Sequence, residues 1–258
     1  MSNAVIIKLG ELGHTTIPEA FYSKVAEWKS WYQGDVKGFH NYRVRNGESM
    51  VNCKRYSLGM GKKVCEDWAN LLMNEKVQIT LEGQKEQAFI DRILTENNFT
   101  VKANEMQEMK SALGTVAYIP RVVDQSIGES GSIVPGNASD IILDYVTIEN
   151  IYPLAWQNGY ISECAFSSVV TRGGHDYLYL QIHHKAGNGQ YDIENRIYRY
   201  DNEQLADELL TNVSGFEHIP PVVHTGSDQR QFVIDRPNIA NNFNYLLPTG
   251  ISVYANAI

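Results

Sequence analysis

YISECAFSSVVTRGGHDYLYLQIHHKAGNGQYDIENRIYRY, residues 160–200, decides the fold. Three strand-like runs stand in it: Tyr160–Thr171, Tyr177–His184 and Tyr191–Tyr200. Gly173-Gly174 separates the first two, and Gly187-Asn188-Gly189 the last two. Short glycine-bearing connections join neighbouring antiparallel strands, so the stretch predicts a meander. A fourth run, Asp140–Glu149, precedes it and itself follows a Gly/Ser-rich segment at 124–139 that reads as mobile.

Upstream of residue 120 the periodicity changes from strand to helix. Thr16, Pro18 and Glu19 form an N-terminal signature, with Thr16 as the cap. Phe21, Val25, Trp28 and Tyr32 follow on one face, and Gly34 closes the helix. A second helix is predicted from Gly59 to Glu75, with Met60, Val64, Trp68 and Leu71 or Leu72 as its inward stripe. Residues 35–56 between them read as loop or short strands. Val77–Leu81 alternates and predicts a short strand. A third helix spans Gln84–Glu96 with Phe89, Ile90, Ile93 and Leu94 inward, and Asn97-Asn98 breaks it. A fourth places Phe99, Ala103, Met106 and Leu113 on one face and ends at Gly114. Thr115–Ile119 reads as a strand stopped by Pro120.

After the meander, Glu203–Leu210 predicts a short helix. Residues 211–258 lack periodicity, carry Pro220, Pro221, Pro237 and Pro248, and read as an extended arm. Helices come first and strands second, so the class is α+β: a mainly helical part over 17–120, a β-rich part over 140–202, and an extended connection over 211–258.

Composition narrows the function. The chain has 258 residues and a net charge of −8. Between Lys24 and Lys63, however, nine Lys/Arg face three Asp/Glu, a local +6 that leaves −14 elsewhere. A general nucleic-acid binder is usually basic throughout, because phosphate neutralisation supplies most non-specific affinity. The N-terminus lacks the basic region and apolar stretch of a signal peptide, and the apolar runs are too short to span a membrane. Cys53, Cys65 and Cys164 are sparse and lack CxxC spacing, which argues against a disulfide framework or a zinc site and suits a reducing environment.

Four features could carry chemistry. His183-His184, with His175-Asp176 one hairpin earlier, is the strongest metal or acid/base candidate. Adjacent strand residues point to opposite faces, so the set reads better as polar ends of a half-exposed hairpin. Cys65 lies beside Val64 and Trp68 and reads as a packed thiol rather than a nucleophile. Gly59-Met60-Gly61-Lys62-Lys63 opens a helix, where anions can bind, but is not a complete phosphate loop. The basic–aromatic tract is the richest: Trp28, Trp31, Tyr32, Phe39, His40 and Tyr42 interleave with Lys29, Lys37, Arg43 and Arg45. Such a tract serves a fold core, a subunit interface or single-stranded nucleic acid. The candidate interface residues are Trp31, Lys37, Arg43, Arg45, Lys54, Arg55, Lys62 and Lys63. No catalytic residue, metal or cofactor is expected.

Four long strings carry a resemblance. WKSWYQGDVKGFHNYRV (28–44), SLGMGKKVCEDWANLLMNEKVQI (57–79), DYVTIENIYPLAWQNGYISECAFSS (144–168) and RPNIANNFNYLLPTGISVYANAI (236–258) resemble portal proteins of tailed phages and prophages of Gram-positive bacteria. The resemblance implies a structural subunit of a dodecameric ring at one capsid vertex, not an enzyme. Such a ring is a conduit for DNA packaging and ejection. It docks terminase, capsid or scaffold protein and head-completion proteins, and DNA passes through without tight binding. It implies a virion location, assembly in the host bacterial cytoplasm and no membrane. This chain corresponds to the N-terminal wing, and the stem, clip and crown are expected beyond its end, so by itself it is expected to be a monomer or small oligomer. The alternative reading is a DNA-contacting module built on residues 24–63.

Overall fold

A computed structural model describes residues 2–73, 77–127, 133–201, 204–206, 219–238 and 247–255, with the side chains of 124–139 outside that description. Five helices precede most of the strands, as the α+β reading requires. They are α1 (Ser2–Glu11), α2 (Glu19–Gln33), α3 (Met60–Leu72), α4 (Gln84–Glu96) and α5 (Phe99–Leu113). A ribbon of β1 (Asn41–Asn46) and β2 (Ser49–Lys54) interrupts them. Sequence reading assigned no helix to α1, yet Val5 and Leu9 are fully buried.

Glycine and asparagine end the helices where sequence places them. Gly34 adopts φ 70 after α2 and Gly114 φ 90 after α5, both left-handed. Asn98 takes φ 48 at the α4–α5 break. The N-terminal expectation for α2 fails in detail. Pro18, with extended φ and ψ, holds the cap position, and no side chain caps the helix.

The meander is real and wider than expected. β5 (Ile151–Gln157), β6 (Tyr160–Arg172), β7 (His175–Lys185) and β8 (Tyr191–Asp201) pair antiparallel in sequence order, and β10 (Val222–His224) adds to the free edge of β8. β5 escaped sequence reading because register shifts at Pro153–Ala155 and Ala155–Trp156 spoil its alternation.

Several expectations need correction. Asp140–Glu149 is not part of the meander. It lies in β4 (Ile133–Thr147), which pairs with β3 (Val116–Ile127), and β11 (Val233–Asp235) completes a separate three-stranded sheet. Pro120 does not stop β3, because β11 covers only Val116–Tyr118 and one side of the strand is open beyond it. The 124–139 segment is not simply a loop: the β3–β4 ladder runs on through Gln125↔Pro135 to Ile127↔Ile133. Val77–Leu81 is not a strand, and Val77, Ile79 and Leu81 are exposed. Gln204–Leu205 is the two-residue strand β9 against β8, not helix, and 207–210 lie outside the described residues.

The predicted arm also folds back. Beyond β10 and β11, Phe232, Ile251 and Ala255 are buried in the same core as α1, α2 and the meander. The closest approach joins Gly250 to Gly114, where a Cβ built on Gly250 would stand 2.0 Å from the Gly114 carbonyl oxygen. The Gly250 N–H donates to Thr115 Oγ1 at 2.9 Å, and the Val253 N–H to the Ser111 carbonyl.

Candidate functional site

α3 reverses the sequence expectation. Its inward residues are Cys65 and Ala69, small enough to let α3 lie close against α5. The stripe Met60, Val64, Trp68, Leu71 and Leu72 faces solvent, with Trp68 50% and Leu71 69% exposed. The apolar period was read correctly and its direction wrongly: an amphipathic pattern separates two faces without saying what covers either. Phe89 on α4, also expected inward, is exposed, whereas Ile93 is buried.

The ribbon carries the basic residues. Its two-residue connection is Gly47-Glu48, with Gly47 at φ 62. Asn46-Gly47 between two short runs was the signal that could have located it. Directly opposed residues share a face. Asn41↔Lys54, Arg43↔Asn52 and Arg45↔Met50 make one face, and Tyr42↔Cys53 and Val44↔Val51 the other. The structure therefore gathers Arg43, Arg45 and Lys54 on one side. Arg43 Nε donates to Asn52 Oδ1 at 2.9 Å, and Arg45 Nε to the Gly47 carbonyl at 3.2 Å.

Arg55 belongs to the opposite side. Its guanidinium lies 4.2 Å from the Tyr42 ring centroid and 4.9 Å from that of Phe39, and Nη1 donates to the Phe39 carbonyl. It clamps the ribbon root by cation–π contact. Trp31 is half-buried, with its ring 5.0 Å from that of Phe39 and 6.0 Å from that of His40. His40 is buried and accepts the Val36 N–H at Nδ1. Trp28 is buried on the core face of α2, and Tyr32 is half-buried there. Lys37 is exposed on the turn before the ribbon.

Lys62 and Lys63 are exposed in the first turn of α3, after Gly59 at φ 63. Lys63 bonds Asp67 at 2.8 Å one turn on, which raises its pKa, with Glu66 3.9 Å away. The eight candidate residues thus fall in four places. Trp31 and Arg55 build the ribbon root. Arg43, Arg45 and Lys54 share the ribbon's basic face. Lys62 and Lys63 sit on α3, and Lys37 bridges to Asn41 at the start of the ribbon.

The histidines do not converge. His183 is fully buried, edge-on between Phe166 and Phe232 at 5.4 Å from each, and neither ring nitrogen has a hydrogen-bond partner among the described residues. Burial, with a smaller contribution from His184, pulls its pKa down to about 3, so the ring is neutral. His184 points the other way, its Nε2 3.3 Å from Glu194. His175 Nδ1 meets Arg199, and Asp176 accepts from Thr171. Among the described residues no three His, Cys, Asp or Glu side chains cluster as metal ligands. Burial, reinforced by Glu108, pushes the Cys65 thiol up to about 12, the opposite of what a nucleophile needs. No described helix is long and apolar enough to cross a membrane.

A family model described as phage portal protein, SPP1 Gp6-like, matches residues 15–181, nearly two thirds of the 258-residue chain. The match takes in α2 to α5, the ribbon, the β3–β4 pair and β5 to β6. No curated protein matches the chain.

Proposed function

Because the chain belongs to the SPP1 Gp6-like phage portal protein family, we propose that it is the wing region of a portal subunit, spanning residues 1–258, in a ring at one capsid vertex of a virion assembled in the host bacterial cytoplasm. Its role is structural, without catalysis or cofactor. The ring conducts DNA during packaging and ejection and docks terminase, capsid or scaffold protein and head-completion proteins. The observation that supports assembly is the outward stripe of α3. Five large apolar side chains on one helix face are costly to leave in water and gain by contact with a second surface. The ribbon adds to this, since a two-stranded sheet exposed on both faces is marginal by itself. The overall charge of −8 suits a conduit that does not hold DNA.

Light scattering on the chain, together with whatever flanking sequence its gene encodes, tests the reading. A large closed oligomer that Trp68→Glu or Leu71→Glu disperses supports it. A gene product that remains monomeric at every salt concentration sinks it.

The shared face of Arg43, Arg45 and Lys54 supports a second reading, a DNA-contacting ribbon. It requires salt-sensitive duplex binding that is lost when these three are changed to Gln. Duplex binding indifferent to those changes excludes it.

A further inference from the structure

The β5–β6 turn, Asn158-Gly159, sits beside two arginines that come from the C-terminal third of the chain. Arg230 packs over the Tyr160 ring at 4.4 Å and donates Nη1–H to the Ile161 carbonyl at 2.6 Å. Arg236 donates Nη1–H to the Pro248 carbonyl at 2.6 Å and lies against Gly159, where a built Cβ would stand 3.5 Å from Nη1. Both arginines line one half-open cleft of about 170 Å³, together with Ile161 and Ile234.

Among the described residues the lining holds two cations and no carboxylate. Elsewhere in the sheets, on β3 and β8, Arg121 pairs with Asp144, Arg196 with Glu194 and Arg199 with Asp201. Two guanidinium groups facing one notch repel each other, and an anion between them reverses the sign of the interaction. Each arginine has one N–H on a carbonyl and keeps further donors in a planar fork that matches an oxyanion.

We propose that this notch docks the carboxylate of an Asp or Glu side chain on an acidic peptide segment of a protein partner. Two observations favour a carboxylate over a nucleic-acid phosphate. The cleft, of about 170 Å³, has Ile161 and Ile234 in its lining, apolar surface that suits the methylene stem of an Asp or Glu and has no counterpart on a phosphate. A chain of net charge −8 repels a polyanion more than it repels one acidic residue. The site is separate from α3 and the ribbon, and stands whether or not the ring reading does.

The test follows the arginine Nε–Hε resonances of the ¹⁵N-labelled chain while adding acetyl-Ser-Glu-Leu-Glu-Ser-amide, inorganic phosphate, or a short DNA duplex. The peptide should shift Arg230 and Arg236 saturably, and Arg236→Gln should weaken it about tenfold. Arg236→Gln also removes a backbone contact, so Asn158→Asp supplies the second arm. It is isosteric, keeps both arginine–carbonyl bonds, and places a carboxylate in the notch. It should weaken the peptide about fivefold while raising the melting temperature. No saturable shift with the peptide, or a peptide indifferent to Asn158→Asp, overturns the proposal. Phosphate shifting the resonances as strongly as the peptide reduces the notch to a small-oxyanion site and overturns it. The duplex acting at lower concentration than the peptide overturns it in favour of a phosphate backbone.

Discussion

The Tyr22 hydroxyl donates to the Ile151 carbonyl oxygen at 2.7 Å, joining α2 to the first residue of the meander across 129 positions of sequence. The bond is buried, and the Tyr22 ring lies 5.4 Å from that of Tyr152, with Phe21 edge-on behind it. Burial raises the Tyr22 pKa, so the hydroxyl stays protonated and available as donor. Tyr22→Phe keeps the ring and strands the carbonyl. It should cost about 1–2 kcal/mol. Thermal melts should show this as a fall of roughly 3–6 °C. An unchanged melting temperature would mean that the helix–sheet contact rests on the rings alone.

Gly250→Ala should be far more damaging, at about 3 kcal/mol or more. Its Cβ would collide with the Gly114 carbonyl oxygen and crowd Pro237, and neither backbone can retreat without undoing the α5–β3 junction. Gly10→Ala is the control, since nothing lies within 4 Å of a Cβ there, and should be neutral or slightly stabilising. Denaturant midpoints of the two variants measure the difference.

The neutral His183 gives the acid limb its slope. Its pKa is about 3 in the fold, against about 6.5 in the unfolded chain. Below pH 6.5 the unfolded state takes up a proton that the fold refuses. The His183 contribution is therefore constant above 6.5 and is lost as pH falls from 6.5 toward 3. Between pH 6.5 and 5 the loss from this residue should be about 2 kcal/mol. His183→Phe should flatten the urea-midpoint profile across that window. An unaltered profile would mean that the imidazole is hydrated or partnered in solution.

Thiol labelling should separate the three cysteines. Cys65 and Cys164 are buried and their pKa values are raised, while Cys53 is partly exposed on the ribbon. One thiol should react quickly in the native chain and three in denaturant. In an assembled ring whose interface includes the ribbon, Cys53 should become protected as well.

The sequence was most legible where each element carries its own period and its own stop. Both Gln84 and Glu96 of α4, the Gly114 cap and the runs of β6 to β8 follow from local pattern. β10 and β11 contribute three residues each, too few to show a period, and are held by long-range pairing. β11 is fixed less by its own composition than by Asp235, which accepts from Gln107 at 2.8 Å and pairs with Lys110 on α5. The candidate residues were legible as a basic cluster. Their division between a ribbon face, a ribbon root and α3 depends on a hairpin register that alternation alone does not specify. The Arg230–Arg236 notch left no trace in sequence, because its turn and its arginines lie some seventy residues apart and meet only when the C-terminal segment folds back.

The contact of Gly250 with Gly114 has a consequence for synthesis. When Gly114 leaves the ribosome, 136 residues separate it from the segment that seals it. At about 5–20 residues per second that interval lasts roughly 7–27 seconds. Throughout it Leu113, Val116 and the inner face of α2 have only part of their final cover. Until then the nascent helical half carries apolar surface that the later segment covers. The arrival of the Gly250 segment, rather than the intrinsic speed of helix formation, sets the moment at which the α5–β3 junction closes.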